Sequence, residues 1–302
     1  MSFWNALAID ARRSAAQPRQ LTCQVCAAPN HADADFCRTC RAPLVLAYEA
    51  QWRRTVPRFL AVTGTPGCGK TVYLGMLTDR LSRHGGPLQV LMRGAYSVSL
   101  QQEAMAALAR RRFPDPTPRD PEGWNWMHCD VLGVPRKRGR EIVMPDISGG
   151  AIRQEIESPH SLPIVRAFLS RCSAAMLLVD AEAVEQGDAD QDYWAVQSLI
   201  YLVEMQRRRN MAWARCPVAV VFTKADASEA CRDEPEEFAR ERTPGLWHQC
   251  RERLRRRRFF ACSVVGACAA IEILGETVPI PLRIEPHGVV EPFRWLVSEM
   301  GN

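Results

Sequence analysis

Four cysteines near the beginning of the sequence are arranged as two pairs. Cys23 and Cys26 form one C-x-x-C pair, and Cys37 and Cys40 form a second pair after ten intervening residues. Two such pairs can surround one Zn²⁺ ion with four thiolates, and the metal then folds a segment too short to have a core of its own. We therefore predict a structural zinc site. A ligand role for His31, or four unrelated reduced cysteines, are the alternatives.

A glycine-rich segment follows the strand-like residues 59–63 and precedes the helix-like residues 72–83. It consists of Gly64, Thr65, Pro66, Gly67, Cys68, Gly69, Lys70 and Thr71, in the P-loop pattern G-x-x-x-x-G-K-T. In this context, backbone N–H groups surround phosphate oxygens at the N-terminus of a helix. The lysine bridges the β- and γ-phosphates, and the threonine hydroxyl binds Mg²⁺. We expect a nucleotide site here, with a chance glycine-rich turn as the alternative.

A second apolar run, residues 217–222, ends in Thr223, Lys224 and Asp226. An aspartate at this position can accept paired hydrogen bonds from the N1–H and the N2 amine of guanine, which adenine does not present in that arrangement. This T-K-x-D segment resembles the guanine-specificity loop of P-loop GTPases, and the resemblance implies GTP and GDP rather than ATP. The alternative is an ATPase, because the apolar run that ends at Asp180 resembles the Mg²⁺-binding strand of ATPases.

Lysine is rare in this chain, and its positions support both motifs. Of 39 lysines and arginines, only Lys70, Lys137 and Lys224 are lysines. A compact ammonium group fits sites that a planar guanidinium group does not. Two of the three lysines lie in the two nucleotide motifs, whereas Lys137, between two predicted strands, has no assigned chemistry.

The order of these motifs resembles that of the translation-factor-related (TRAFAC) class of P-loop GTPases over residues 56–301. The D-x-x-G segment from Asp146 to Gly149 resembles switch II. This resemblance implies that Asp146 reaches Mg²⁺ through water and that the Gly149 N–H senses the γ-phosphate. Ser263 stands in the place of the S-A-K loop that contacts guanine. Thr117 is the candidate for the switch I threonine that closes on Mg²⁺, and an incidental threonine in a proline-rich loop is the alternative.

Other details resemble the double-GTPase proteins of bacterial conflict and signalling systems. These are the long segment between the P-loop and Thr117, and the closing residues 286–296, which read P-x-G-V-x-E-P-x-x-W-L. The resemblance implies a cytoplasmic molecular switch that works beside a second GTPase or adaptor and effector proteins, or as a dimer. The cysteine segment resembles the short zinc ribbons of bacterial proteins, with Arg41 in place of the usual glycine.

The sequence predicts slow hydrolysis of GTP to GDP and phosphate. Small GTPases carry a glutamine directly after D-x-x-G, whereas this chain has Gly150 there. Gln154 and Glu155 are the nearest candidates to orient water, so we expect a partner or a dimer to stimulate turnover. An adaptor without useful hydrolysis is the alternative. The predicted catalytic residues are Lys70, Thr71, Gly149, Thr117 and Gln154.

The predicted fold is α/β, with a mostly parallel P-loop NTPase sheet flanked by helices and a small N-terminal zinc ribbon. The expected division is an N-terminal extension (1–20), the zinc ribbon (21–46), a linker (47–55) and a GTPase domain (56–302). Between the P-loop and D-x-x-G, we predict an added strand at 88–92, a helix at 99–112 and a β-hairpin with arms at 124–132 and 140–144.

Composition excludes wholesale disorder, because 47% of the 302 residues are hydrophobic and 8% are aromatic. A net charge of +5 gives no argument for nucleic acid as a partner. The densest basic run, Arg255–Arg258, is interpreted as a solvated helix end, with nucleic-acid binding as the alternative. The first residues do not read as a signal peptide, and the apolar stretch 259–275 is too short to span a membrane.

Overall fold

The computed structural model describes residues 20–83, 88–132, 140–207, 216–273 and 276–300. The strands are β1 (Gln20–Thr22), β2 (Pro29–His31), β3 (Arg58–Gly64), β4 (Gln89–Arg93), β5 (Trp126–Leu132), β6 (Arg140–Pro145), β7 (Cys172–Asp180), β8 (Val218–Thr223), β9 (Arg257–Ala261), β10 (Ser263–Ile273) and β11 (Glu276–His287). The helices are α1 (Val45–Arg53), α2 (Lys70–Arg83), α3 (Gly94–Ala109), α4 (Gly149–Glu157), α5 (Pro163–Leu169), α6 (Ala181–Glu185), α7 (Ala189–Arg207), α8 (Glu229–Asp233), α9 (Pro235–Arg242), α10 (Pro244–Arg253) and α11 (Glu291–Glu299).

A seven-stranded sheet in the order β4-β5-β6-β3-β7-β8-β9 forms the centre of the molecule. Strand β5 runs antiparallel to β4 and β6, and the pairs from β6 to β9 are parallel. Parallel neighbours need crossover connections, which the helices supply. This arrangement confirms the predicted α/β fold with a mostly parallel sheet. The carboxyl ends of β3, β7 and β8 meet at one edge, where ligands bind in open α/β sheets.

Both faces of the sheet are buried. In β3, Phe59 and Ala61 belong to one hydrophobic cluster, whereas Leu60 and Val62 belong to the other. The first cluster includes residues of α4, α5, α7, α9 and α10. The second includes residues of α2, α3 and α11. The alternation of side chains along a strand therefore produces a three-layer packing in which helices cover each face.

The segment between the P-loop and D-x-x-G contains the elements that the sequence predicts. Strand β4 is the added strand, and β5 and β6 are the paired arms of the predicted hairpin. The connection 133–139, which includes Lys137, lies outside the described residues. The predicted helix at 99–112 is shifted: α3 begins at Gly94, whose φ of +69° turns the chain directly from β4 into the helix, and α3 ends before Arg111, whose φ is +56°.

The ribbon strands β1 and β2 pair antiparallel and lead into helix α1. This helix covers most of the range 47–55 that we expected as a linker, and its buried residues Leu46, Ala47 and Ala50 pack against the molecule. Of the expected N-terminal extension, residues 1–19 lie outside the described residues. The division into domains at these boundaries stays a prediction.

Strands β10 and β11 form a separate two-stranded antiparallel hairpin after β9. The sequence did not predict this element. The closing segment then continues into the last helix, α11, as expected. No helix within the described ranges has both the length and the apolar composition that crossing a bilayer would require.

Candidate functional site

The four cysteines of the ribbon converge on one point. The Sγ atoms of Cys23 and Cys40 are 3.6 Å apart, and those of Cys26 and Cys37 are 3.5 Å apart. All four sulfur atoms lie within 4.8 Å of one another. Zn–S bonds of about 2.3 Å in a tetrahedron place sulfur atoms about 3.8 Å apart, so the cluster fits one zinc ion. His31 lies outside it, highly exposed and 3.2 Å from Asp33.

Two backbone turns close the ribbon around its sulfur atoms. Ala27 and Arg41 each follow the second cysteine of a pair, and each has a φ of 64°. Their N–H groups donate to the carbonyls of Cys23 and Cys37 at 2.9 and 2.8 Å. Arg41 thus adopts the left-handed conformation that the glycine of similar ribbons adopts readily, despite a cost of about 1 kcal/mol.

The P-loop surrounds the ammonium group of Lys70. This buried nitrogen donates to the carbonyl oxygens of Gly64 and Thr65 at 3.0 and 3.1 Å. Gly67 and Gly69 have φ values of +83° and +86°, a backbone conformation that would be strained in a residue with a side chain. The loop opens into a cavity of about 650 Å³, within the size range of small-molecule sites.

Three oxygen-bearing side chains meet beside the P-loop. The Thr71 hydroxyl donates to Asp146 Oδ2 at 2.8 Å, and the Thr117 hydroxyl lies 2.9 Å from both Thr71 Oγ1 and Asp146 Oδ2. The other oxygen of Asp146, Oδ1, is buried and has no hydrogen-bond partner among the described residues. Burial raises the pKa of Asp146, and the hydroxyls of Thr71 and Thr117 oppose this rise. Oxygen donors with one unpaired carboxylate oxygen fit a Mg²⁺ ion.

Asp180 has a different environment from Asp146. Its Oδ2 lies 2.5 Å from the Nζ of Lys224, and its Oδ1 accepts a hydrogen bond from the Ala183 N–H at the start of α6. The acidic residue that contacts Thr71 is Asp146. This geometry favours Asp146 over Asp180 as the acidic residue on the Mg²⁺ side of the site.

The T-K-x-D segment contacts the P-loop through Thr223. Thr223 Oγ1 donates to the carbonyl of Cys68 at 2.7 Å. Asparagine is the commoner residue at this position of the T-K-x-D motif, and here a threonine makes the bond to the P-loop. Ser263 Oγ is hydrogen-bonded to the carboxylate of Asp226. Asp226, Lys224 and Thr117 line the same cavity, so the predicted guanine and Mg²⁺ residues share one site.

A family model described as Double-GTPase 2 matches residues 58–265, which is more than half of the chain. The protein belongs to the Double-GTPase 2 family. The matched range contains the P-loop, the D-x-x-G segment, the T-K-x-D segment and Ser263. Family membership confirms the predicted P-loop GTPase and supports GTP binding, and the four-cysteine cluster fits the predicted zinc ribbon.

Solved structures add a distant likeness. One of them, nucleolar GTP-binding protein 1 from Plasmodium falciparum, is 10% identical, with a TM-score of 0.42. The likeness covers 82% of this chain and 87% of that chain. No curated protein matches the chain.

The two candidates for orienting water, Gln154 and Glu155, differ in their surroundings. Gln154 is exposed on α4 and does not line the cavity. Glu155 is buried, and its carboxylate accepts hydrogen bonds from the N–H groups of His160 and Leu162 and from the Tyr201 hydroxyl. Glu155 therefore holds the loop between α4 and α5.

Two adjacent glycines of the Double-GTPase 2 site have unequal space. A Cβ atom at Gly149 would lie 2.9 Å from Lys70 Nζ and from the Pro66 nitrogen. A Cβ at Gly150 would meet only ordinary contacts, with Arg119 Nε at 3.6 Å and Ser148 Oγ at 3.7 Å. Arg119 is a cation near Gly150 that the sequence interpretation missed, although its position two residues after Thr117 was an available signal.

The basic run Arg255–Arg258 is not a helix end, because Arg257 and Arg258 belong to β9. Arg256 Nη1 donates to the Glu299 carbonyl at 2.9 Å, and the Arg258 guanidinium lies 5.2 Å from the ring centre of Phe260. Much of this run is therefore engaged within the protein.

Proposed function

We propose that this protein is a GTP-binding molecular switch that hydrolyses GTP slowly in a bacterial conflict or signalling complex in the cytoplasm. One observation carries the proposal. A single cavity holds Thr71 and Thr117, which meet at Asp146, at one end and the Lys224 and Asp226 pair at the other. Groups suited to phosphates and groups suited to guanine thus border the same cavity, as a guanine nucleotide requires.

Each group in the cavity has a chemical role in this proposal. Backbone N–H groups of the P-loop hold the phosphates, and Lys70 exchanges its carbonyl partners for β- and γ-phosphate oxygens. Thr71, Thr117 and Asp146 would hold Mg²⁺, which supplies positive charge at the phosphates. Asp226, oriented by Ser263, accepts the guanine donors, and the Gly149 N–H faces the γ-phosphate.

We expect slow turnover because, within the described residues, no side chain near the position after D-x-x-G is available to orient the attacking water. Gly150 offers no side chain, Glu155 is occupied by the loop it holds, and Gln154 stands one turn further along α4. We propose Gln154, together with a stimulating partner, for the orientation of water. Arg119 lies close to Gly150 but, like Gln154, does not line the cavity.

The partner in this proposal is a second GTPase, an adaptor or effector protein, or a second copy of the chain. A nucleotide-binding adaptor without useful hydrolysis is the second candidate. It is favoured by the position of Gln154 outside the cavity. The two candidates share every binding residue and differ only in turnover.

Thermal unfolding with different nucleotides tests the proposal. With Mg²⁺ and saturating nucleotide, GTP and GDP should raise the unfolding midpoint by about 5 °C or more, whereas ATP should not. Lys70→Ala should abolish the shift. Asp226→Asn tests guanine recognition separately, because it leaves the P-loop intact but places an amide donor opposite the guanine donors. This variant should lose the preference for GTP and GDP over ATP. Equal protection by ATP would contradict the proposal, and fast single-turnover hydrolysis by the isolated protein would contradict slow turnover.

A further inference from the structure

Part of the nucleotide cavity is formed by an element outside the recognised motifs. Cys268, Ala269 and Ala270 of β10 and Pro279 of β11 line the same cavity as the P-loop and Asp226. These residues follow the range matched by the family model. The β10–β11 hairpin therefore contributes a wall to a site whose other walls come from loops at the edge of the central sheet.

The root of the hairpin is fixed at the guanine end of the cavity. Ser263, the first residue of β10, is hydrogen-bonded through its hydroxyl to Asp226. At the other root, Gly288 has a φ of +66°, and an added Cβ would lie 2.1 Å from the Ala261 carbonyl oxygen. Both ends of the hairpin are thus held against β9 and the loop of Asp226, so its position relative to the base subsite is constrained.

Three of the hairpin residues that line the cavity, Cys268, Ala270 and Pro279, lie on one face of the hairpin. Ala270 is paired with Pro279 across the two strands, and paired residues share a face of a hairpin. Cys268 is two residues before Ala270 and has the same orientation. Ala269 and Ile271 lie on the opposite face; Ala269 still borders the cavity, whereas Ile271 is 38% exposed and does not line it. The side chains of the inner face are small or rigid, which leaves room for a ligand beside them.

The chemistry of this wall suits a nucleoside more than a phosphate. Its side chains are uncharged, and the charged groups that act on the Cys268 thiol are Asp226, Glu182 and Lys224. Irregular pairing between Ser263 and Cys268 marks β-bulges, which re-aim side chains beside functional sites. A planar base and its ribose can bury apolar area against such a face.

We infer that the hairpin face formed by Cys268, Ala270 and Pro279 is the outer wall of the base and ribose subsite. The inference rests on the proposed GTP binding and extends it to an element outside the motifs. A bound nucleoside then covers Cys268. All 12 cysteines lie within the described residues, and of these Cys268 alone is exposed.

Alkylation by N-ethylmaleimide, followed residue by residue with mass spectrometry, tests the wall directly. Saturating GDP should slow modification of Cys268 about tenfold or more, whereas ATP at the same concentration should not. Cys268→Ser identifies the modified residue, since this variant should lose the GDP-protected signal. An unchanged rate at Cys268 in protein saturated with GDP overturns the inference.

Calorimetric GDP titration of two charge substitutions provides the second test. Ala270→Glu places a carboxylate on the inner face and should raise the Kd about tenfold or more. Ile271→Glu, the matched control on the outer face, should change the Kd less than about twofold. Equal Kd values for Ala270→Glu and wild type overturn the inference, provided both variants unfold at the wild-type temperature without nucleotide. Failure of wild type to bind GDP instead refutes the proposed function itself.

Discussion

At the scale of single residues, the adjacent glycines Gly149 and Gly150 can be compared directly. A methyl group at Gly149 would collide with the Pro66 nitrogen and lie 3.1 Å from the Gly64 carbonyl oxygen, and this backbone cannot move cheaply. We therefore expect Gly149→Ala to displace the N–H that we propose faces the γ-phosphate. Single-turnover hydrolysis of GTP should fall about 100-fold, as when one transition-state donor is lost, while GDP binding should weaken less.

The control is Gly150→Ala, whose methyl group meets nothing closer than 3.6 Å. This variant should keep GTP turnover within about twofold of wild type. Equal losses for the two alanines would show that helix α4, rather than the steric environment of Gly149, sets the rate.

The sequence was sufficient to predict candidate residues whose chemistry depends on local spacing. Lys70 and Thr71 are adjacent, and Thr223 and Asp226 are three residues apart, so one turn places each pair. Thr117 was harder to place, because a long segment separates it from Thr71, and only the folded chain brings the two hydroxyls within 2.9 Å. Arg119 belongs to no recognised motif, and only its position two residues after Thr117 pointed to it.

At the scale of elements, the zinc ribbon is packed against the rest of the molecule. Cys23, Val25 and Leu44 belong to the same hydrophobic cluster as Trp124 and Phe168 of the main body. Removing the metal leaves four thiols within 4.8 Å and without a cation. We expect chelation of zinc to lower the unfolding midpoint of the whole chain by about 5 °C or more.

Two cysteine substitutions distinguish metal loss from loss of a sulfur atom. Cys37→Ser should release zinc, measured by elemental analysis, and lower the midpoint. Cys216→Ser removes a buried sulfur outside the cluster and should retain a full equivalent of zinc. Zinc retention by Cys37→Ser would contradict a four-thiolate site.

Elements with strong periodicity or turn signals were predicted, and those with conflicting signals were not. The β10–β11 hairpin was missed because Pro279 and Pro281 argue against a strand. The two prolines are two residues apart in a strand. The positions where their N–H groups are missing therefore lie along the same edge of β11. Helix α1 was missed because only the folded structure supplies its buried partners, among them His128, which lies 2.9 Å from Glu49.

At the scale of the whole molecule, a charge network with buried Asp130, His128 and Glu141 at its centre joins the ribbon helix to the central sheet. Arg53 of α1 and Arg93 of β4 both contact Asp130 of β5, at 2.5 and 2.6 Å. His128 Nε2 of β5 lies 2.8 Å from Glu141 of β6. Buried charges are tolerated when they are paired in this way. The network connects four elements that are separated by long stretches of sequence, which is why no local pattern revealed it.

The titration of His128 makes the stability of the molecule depend on pH. Burial alone would lower the pKa of His128, but the carboxylates of Glu141 and Glu49 raise it to about 9, above its ordinary value of 6.5. The stabilisation is complete below about pH 6.5 and is lost as pH rises through about 9. Urea unfolding should show a loss on the order of 3 kcal/mol across this window. His128→Gln should remove that part of the slope, and equal slopes for the two proteins would mean that His128 is uncharged in the folded state.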